Sequence, residues 1–259
     1  MKKIFGLFFV YLFLCTTVFA KDLRFIQITD VRYSQANNSE ILKQVIKDVN
    51  KQKDVDFVVF TGDNIQKPDK QELNNFISAA KKLNKPFYVL IGDKDVNKHK
   101  DLSKKDYQRI LKKKLHTCKT YDLNYTFEKG GVVFMVVDGA KDVIPGTNGY
   151  YKDDVVEWVD KTLSENSKKN VVILQHFPLI PPAENEGYVT FKPQKYLDVI
   201  EKHPNVRAVV AGHFGVNKEE TVNEVKYIST APAPSYRIID IIDCTSKNPS
   251  VWAEVVELK

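Results

Sequence analysis

The chain has 259 residues, of which 43% are hydrophobic, and this is enough for one large domain with its own core. Its formal net charge is +6, which falls to +4 without the two lysines of residues 1–20. Such mild basicity is not a nucleic-acid signature, and no nucleic-acid partner is expected. Beyond residue 20 no stretch is long and apolar enough to span a membrane, so the mature chain should have no transmembrane span.

The N-terminal residues have the pattern of a signal peptide. Lys2 and Lys3 precede the apolar run IFGLFFVYLFL, and small residues up to Ala20 offer a cleavage site. The apolar run is too short for a comfortable transmembrane helix. We therefore predict a signal peptide over residues 1–20 and a mature domain over residues 21–259. The mature protein should be extracytoplasmic, either periplasmic or secreted.

Two cysteines, Cys118 and Cys244, remain in the predicted mature chain. Exported proteins can form disulfides, so a bond between these two cysteines is one interpretation. Two buried thiols are the alternative, because the spacing of the two residues in sequence does not say whether they meet in space.

Five short runs rich in Val, Ile and Phe have the composition of buried strands, and each ends on an acid or a histidine. They are RFIQIT before Asp30, DFVVFTG before Asp63, PFYVLIG before Asp93, VVILQ before His176 and RAVVAG before His213. Ligands of open α/β sheets bind outside the carboxyl ends of the strands. If these strands are parallel neighbours, three carboxylates and two imidazoles meet at one metal site.

Apolar residues at helical spacing lie between several of these runs. The helical segments are 41–49, 73–83, 155–163 and 196–200. Asn38 or Ser39 is the expected N-cap of the first helix. Strands that alternate with helices in this way indicate βαβ units and a parallel sheet.

A second group of strands lies outside that alternation. Residues 124–128 and 132–137 flank a Gly-Gly pair and predict a hairpin, and residues 225–229, 236–242 and 251–256 predict further strands. Two packed sheets with helices outside, in a single domain, account for all of these elements.

A basic segment, residues 98–116, holds eight Lys or Arg against Asp101 and Asp106. The favoured interpretation is a solvated helix face, and the alternative is a rim that attracts phosphate-bearing substrates. The loops 96–123, 139–152 and 181–193 are expected to wall the pocket.

The residues at the five strand ends resemble the motifs of one family. They read DVR, GDN, GDKD, HFP and GHFG, and they are similar in order and spacing to D-x-H, G-D, G-N-H-D/E, H and G-H-x-H of the calcineurin-like metallophosphoesterases. The resemblance covers essentially the whole mature chain. It implies an α/β fold, a four-layer α/β/β/α sandwich of two packed mixed sheets with outer helices. It also implies two metal ions about 3.5–4 Å apart that clamp a phosphate.

The resemblance implies one complete metal site and one depleted site. The complete set comprises Asp63, Asp93, His176 and His213, with Asp93 where the family pattern has Asn. The other site keeps Asp30 and Asp63, but Arg32 and Gly215 stand at its two histidine positions. The implied cofactor is one divalent ion, Mn, Fe or Zn, or two ions if the depleted site still binds.

Three further residues carry the predicted chemistry. Arg32 has no lone pair for a metal, but it could supply the missing positive charge or grip a phosphate with two parallel hydrogen bonds. Lys94 stands where the family pattern has a catalytic His, and it could serve as a fixed charge on the phosphate. Asp95 is expected to pair with Lys94.

Two hypotheses follow for the function. The first is an exported metal-dependent phosphoesterase that hydrolyses a phosphate mono- or diester of a small molecule, with Arg32 and Lys94 supplying positive charge. The second is a catalytically inactive pseudophosphoesterase that binds a phosphorylated ligand or a protein partner. The first is favoured, because four ligands of one metal site are retained.

Overall fold

The computed structural model describes residues 22–117, 121–144 and 146–258. The predicted signal peptide, residues 1–20, lies outside these ranges, and so does Cys118. Signal cleavage and the pairing of Cys118 with Cys244 therefore stay predictions. Within the described part of the chain, no helix combines the length and the hydropathy that a membrane crossing requires.

Eleven strands and five α-helices, with one 3-10 turn, make up the regular structure of the described residues. In chain order they are β1 (Leu23–Ile28), α1 (Ser39–Val49), β2 (Phe57–Thr61), α2 (Lys70–Ala80), β3 (Phe87–Leu90), α3 (Lys104–Lys114), β4 (Tyr125–Lys129), β5 (Val132–Val137), α4 (Asp153–Glu165), β6 (Val171–Gln175), the 3-10 turn Glu186–Tyr188, α5 (Gln194–Lys202), β7 (Val206–Ala211), β8 (Lys218–Val222), β9 (Val225–Ser229), β10 (Tyr236–Ile242) and β11 (Ser250–Val256).

The strands form two mixed sheets. The first has the order β11-β10-β1-β2-β3, in which β1, β2 and β3 are parallel to one another and β10 is antiparallel to both of its neighbours, β1 and β11. The second has the order β4-β5-β6-β7-β9-β8, with four central parallel strands and an antiparallel strand at each edge. The predicted α/β architecture of two packed mixed sheets with outer helices is confirmed, and so is the hairpin, which is β4–β5.

Aromatic rings join the two sheets at one end of the core. Phe57 of β2 is fully buried and stacks on Phe25 of β1, with ring centroids 5.0 Å apart. It also meets Phe134 of β5, in the other sheet, edge-on at 5.0 Å. Each such aromatic pair adds to the stabilisation that burial alone provides. The sheets are therefore fixed face to face, and this fixes where their strand ends meet.

Three of the five strand-end site residues adopt left-handed backbone conformations. Asp30 and Asp63 have φ of 50° and His213 has φ of 69°. Asp and His tolerate this region better than most residues, but it still costs of order 1 kcal/mol each. The Asp30 N–H donates to Gly62 O at 3.0 Å, which ties the end of β1 to the end of β2.

Glycines precede Asp63 and Asp93 because other atoms of the site pass too close to these positions for a side chain. A Cβ on Gly62 would lie 2.6 Å from His176 Nδ1, and Gly62 has φ of 92°. A Cβ on Gly92 would lie 2.3 Å from the Asp63 backbone nitrogen. The Gly-Asp pairs of the sequence thus let the ends of β2, β3 and β6 approach one another.

Three sequence expectations need correction. The five strands that carry site residues are not neighbours in one sheet, because β1, β2 and β3 lie in the first sheet and β6 and β7 in the second. Asn38 occupies the N-cap of α1, but its side chain donates to Arg32 O at 3.0 Å and does not cap the helix. The exposed edge strand β8 was missed, since its sequence KEETV has little apolar content.

Replacing Phe57 with Ala is expected to lower the free energy of unfolding by about 3–5 kcal/mol, because the cavity would open between the two sheets. Urea unfolding followed by circular dichroism measures this change. Phe191→Ala is the matched control, since that ring is 52% exposed, and its cost should stay below about 1 kcal/mol. Equal stability of the two variants would contradict the role of Phe57 in joining the sheets.

Candidate metal centre

The carboxyl ends of five strands meet where the two sheets face each other. Asp30, Asp63 and Asp93 follow β1, β2 and β3, and His176 and His213 follow β6 and β7. All of them are buried except Asp93, which is partly exposed. Two overlapping groups of candidate metal ligands result, one of Asp93, His176 and His213 and one of Asp30, Asp63 and His176.

The spacing of the first group suits a metal ion. His213 Nδ1 lies 3.1 Å from Asp93 Oδ1 and 3.2 Å from His176 Nε2, and His176 Nε2 lies 3.3 Å from Asp93 Oδ1. Asp63 Oδ1 is 3.4 Å from His176 Nε2. Ligand atoms on one tetrahedral ion with bonds of about 2.0–2.1 Å are roughly 3.3 Å apart. The donor atoms of Asp93, His176 and His213 therefore have separations close to those of atoms that share an ion, and Asp63 adjoins this group through His176.

Hydrogen bonding also prepares His176 for ligation. Its Nδ1–H donates to Thr61 O at 2.7 Å, which turns Nε2 towards the other donor atoms. A backbone carbonyl on the second ring nitrogen is the usual way in which proteins orient a ligating histidine. Asp63 Oδ2 is buried without a hydrogen-bond partner, so this oxygen also has capacity left for a cation. The residues present thus fit a divalent ion.

The pKa values of Asp93 and His176 show that positive charge stabilises the carboxylates of the cluster. Burial alone raises the pKa of Asp93, but hydrogen bonds and charge from His176 and His213 lower that pKa far below its usual range. Burial lowers the pKa of His176, but the charge of Asp63 and its bonds to Asp63 and Asp93 raise it well above the usual value. A divalent ion bound at this cluster would supply positive charge to the same carboxylates.

Arg32 lies at the position where the family pattern has a second histidine ligand, between the two deepest carboxylates. One guanidinium NH2 donates to Asp30 Oδ1 at 3.2 Å, and Nε lies 3.6 Å from Asp63 Oδ2. The Asp30 and Asp63 side chains are fully buried, whereas the Arg32 side chain is 34% exposed. The guanidinium thus compensates part of the negative charge of the two acids of the depleted site and remains partly exposed to solvent.

Lys94 and Asp95 differ in how far they match their predicted roles. Lys94 Nζ lies 3.5 Å from Asp93 Oδ2, and its backbone N–H donates to Asp63 Oδ1 at 2.9 Å. The predicted pairing of Lys94 with Asp95 is wrong. Asp95 is fully buried and accepts from the backbone N–H groups of Gly92 at 2.8 Å and Ile65 at 3.0 Å.

Asp95 therefore stabilises the loops beneath the centre and does not face the mouth. Asn64 also donates to it at 3.0 Å, which connects the loops that follow β2 and β3. Burial, with the charge of Asp63 adding to it, raises the pKa of Asp95 to about 7. Spacing alone could not reveal this inward orientation, because it depends on the turn made by residues 92–95.

Gly215 has φ of 80°, and a Cβ there would meet nothing within 4 Å. Space is available for a side chain, but the left-handed backbone disfavours most residues other than Gly, Asn or Asp. The loss of a ligand at this position is thus accompanied by a backbone conformation that suits the glycine.

The basic segment forms α3, and its charges mostly face solvent. Arg109 pairs with Asp106 and Lys112 with Asp122, in exposed ion pairs of the kind that contribute little to stability. Lys104 is different, because its Nζ donates to the buried Asp138 at 2.6 Å. These contacts agree with a solvated helix face, and the phosphate-attracting rim stays a prediction.

Sequence analysis missed an aromatic wall beside the metal centre. The ring of Tyr188, in the 3-10 turn, lies 5.4 Å from the ring of His213, and Phe177 lies 4.6 Å from the same histidine. Phe177 follows His176 directly and could have been suspected from that position. Tyr188 lies within the loop 181–193, which was expected to wall the pocket, but no local pattern marks this residue within it.

The chain is similar to known proteins in sequence and in fold. The family described as calcineurin-like phosphoesterase matches residues 23–217. A probable glycerophosphodiester phosphodiesterase GpdQ from Arcobacter nitrofigilis is 23% identical over 194 residues, which are 71% of this chain and 64% of that relative. The chain thus spans less than two thirds of the length of that relative.

Three solved structures share the fold at low identity. A dimetal phosphatase from Danio rerio has a TM-score of 0.68 at 14% identity, covering 88% of this chain and 98% of that one. Purple acid phosphatase PPD1 from yellow lupin (Lupinus luteus) has a TM-score of 0.63 at 13% identity, covering 91% and 51%. GAP50, the anchor in the inner membrane complex of Plasmodium, has a TM-score of 0.59 at 12% identity, covering 92% and 89%.

These structures support the fold, and the family match spans most of the chain, from β1 to the loop before β8. That span includes every strand that carries a candidate ligand. The protein belongs to the calcineurin-like phosphoesterase family.

Proposed function

We propose that the protein is a metal-dependent phosphoesterase that hydrolyses a phosphate mono- or diester at a single metal site. The observation that carries this proposal is the convergence of Asp93, His176 and His213, whose donor atoms lie 3.1–3.3 Å apart. The diester alternative draws support from the relative named as a probable glycerophosphodiester phosphodiesterase.

Asp63, Asp93, His176 and His213 would hold the ion, which is Mn, Fe or Zn by the mixture of carboxylate and imidazole donors. When bound, such an ion polarises the phosphoryl oxygen and lowers the pKa of a water molecule. In the hydrolysis, the water oxygen bonds to phosphorus, the ester P–O bond breaks, and the departing oxygen receives a proton.

Arg32 and Lys94 would bind the phosphate from the open side of the centre. Their side chains are 34% and 30% exposed, and each is held by a buried or partly buried carboxylate. Fixed positive charges aimed at a phosphoryl group stabilise the charge that develops in the transition state. Arg32 would therefore have two tasks, since it also compensates part of the charge of Asp30 and Asp63.

A pseudophosphoesterase that binds a phosphorylated ligand or a protein is the second candidate. The specific observation in its favour is that Arg32 fills the space between Asp30 and Asp63, so part of the metal-binding equipment is occupied by a side chain. The fold also occurs in GAP50, which is described as an anchor. Turnover measurements separate the two candidates.

We also propose that the protein works outside the cytoplasm after cleavage near Ala20. The lysine pair and the apolar run of residues 1–20 support this proposal. The N-terminal sequence of the protein isolated from its native source would begin near Lys21 if cleavage occurs there, and retention of Met1 would contradict it.

Metal content should be about one ion per chain, because one ligand set is complete and Arg32 occupies the other site. Elemental analysis of protein purified without chelator and supplied with Mn, Fe or Zn measures it. His176→Ala should lose the ion. His203→Ala is the matched control and should keep it, since His203 is also buried but bonds to Asp160 at 2.6 Å.

Two ions per chain would contradict the role of Arg32 as a substitute cation. Absence of metal from the wild-type protein after supply of all three ions would contradict the metal centre itself.

Hydrolysis of p-nitrophenyl phosphate should require the metal and stop when a chelator removes it. His176→Ala should lower kcat/KM by about 10³-fold, since the ion contributes several kcal/mol to the transition state. Lys94→Ala should lower kcat/KM by roughly tenfold or more through loss of a charge on the phosphate. Lys81→Ala is the control and should retain full activity, because Lys81 is an exposed residue at the C-terminal end of α2.

No turnover above background with any of the three ions, measured on protein that contains metal, would favour the pseudophosphoesterase instead.

Arg32→Met should destabilise the metal-free protein by about 1–3 kcal/mol, because Asp30 and Asp63 would stay buried without their cation. This expected loss of stability is smaller than for a fully buried ion pair, because the Arg32 side chain is 34% exposed. Denaturant unfolding in a chelating buffer measures it. Arg24→Met is the control, because Arg24 pairs with Asp240 near the surface and its removal should cost less than about 1 kcal/mol. Equal losses would mean that Arg32 does not neutralise the centre.

A further inference from the structure

Aromatic rings contact a histidine of the metal centre, and cations contact its carboxylates. Tyr188 packs 5.4 Å from His213 and 6.4 Å from Phe214, measured between ring centroids. Tyr188 nevertheless remains 37% exposed, so part of the residue faces solvent beside the centre. Arg32 and Lys94 adjoin the carboxylates instead.

The segment that carries Tyr188 is held in place on both sides. The Gly149 N–H donates to Val189 O at 3.1 Å, and Gly149 O accepts from Phe191 N at 2.8 Å. The Thr190 hydroxyl donates to Pro178 O at 2.7 Å, which ties the segment to the loop after His176. Tyr188 is thus positioned before any ligand arrives, and preorganisation of this kind favours binding because less entropy is lost.

The structure assigns Tyr188 and Phe214 to a subsite for an aryl group of the substrate, an inference that rests on the proposed phosphoesterase function. With its phosphate near Arg32, Lys94 and the metal ligands, a substrate extends its ester group towards His213 and the two rings. A flat aromatic group gains packing and ring–ring attraction there. A glycerol or sugar group has no apolar face of comparable size and gains little.

Binding of two non-hydrolysable ligands tests the subsite without any need for turnover. Phenylphosphonate and methylphosphonate share the phosphonate group and differ in the ring. Isothermal titration calorimetry on the Mn-supplied protein should show phenylphosphonate binding about fivefold more tightly, in the range of an aromatic contact. Tyr188→Ala should reduce this preference to less than about twofold, and Tyr188→Phe should keep it.

Tyr150→Ala is the matched control. Tyr150 is also 37% exposed, but its described ring contact is with Phe191, at 6.1 Å, and not with a metal ligand. This variant should retain the phenyl preference. Thermal unfolding of each variant confirms that it is folded.

Three outcomes would overturn the subsite. They are equal binding of the two phosphonates by the wild-type protein, a phenyl preference that survives in Tyr188→Ala, and absence of measurable phenylphosphonate binding. Hydrolysis of phenyl phosphate and of glycerol phosphate is measured on the same preparations. A phenyl preference lost in Tyr188→Ala, without hydrolysis of either ester, would support the subsite and refute the proposed hydrolytic function.

Discussion

The structure depends on the concentration of negative charge at the place where the two sheets meet. Asp30, Asp63 and Asp93 lie close together with little access to water, and such a group is stable only when cations accompany it. Arg32 accompanies two of the acids, while the His176 imidazole Nε2 lies 3.3 Å from the third, at Asp93 Oδ1. The left-handed turns at the strand ends, the close glycines and the bonded loops all serve to hold this charge pattern in place.

Much of this arrangement could be predicted from the sequence because its signals are local. A run of β-branched residues that ends on Asp63 or His176 predicts both a strand and the position of the functional side chain at its end. The order of five such runs then identifies the family and with it the pairing of strands into two sheets. Placement of Arg32 beside Asp30 and Asp63 followed from the same motif, and the structure shows the contacts.

What could not be predicted depends on contacts between residues that are distant in sequence or on the direction of a side chain in a turn. Asp95 follows Lys94 directly, yet it turns inward because N–H groups from two loops converge on it. Asn38 stands at a helix start but bonds to the loop after β1. Tyr188 comes next to His213 through a loop that is anchored by Gly149. None of these contacts leaves a periodic trace in the sequence.

The cation between Asp30 and Asp63 is part of the polypeptide, and this changes how the protein meets its surroundings. A dissolved ion dissociates, competes with other ions and can be withheld from the protein, whereas a tethered guanidinium has a local concentration that no chelator alters. The half of the centre formed by Asp30 and Asp63 therefore has a positive charge beside it as soon as the chain folds. Under the proposed single-site function, scarcity of metal in the environment would act on the remaining half alone.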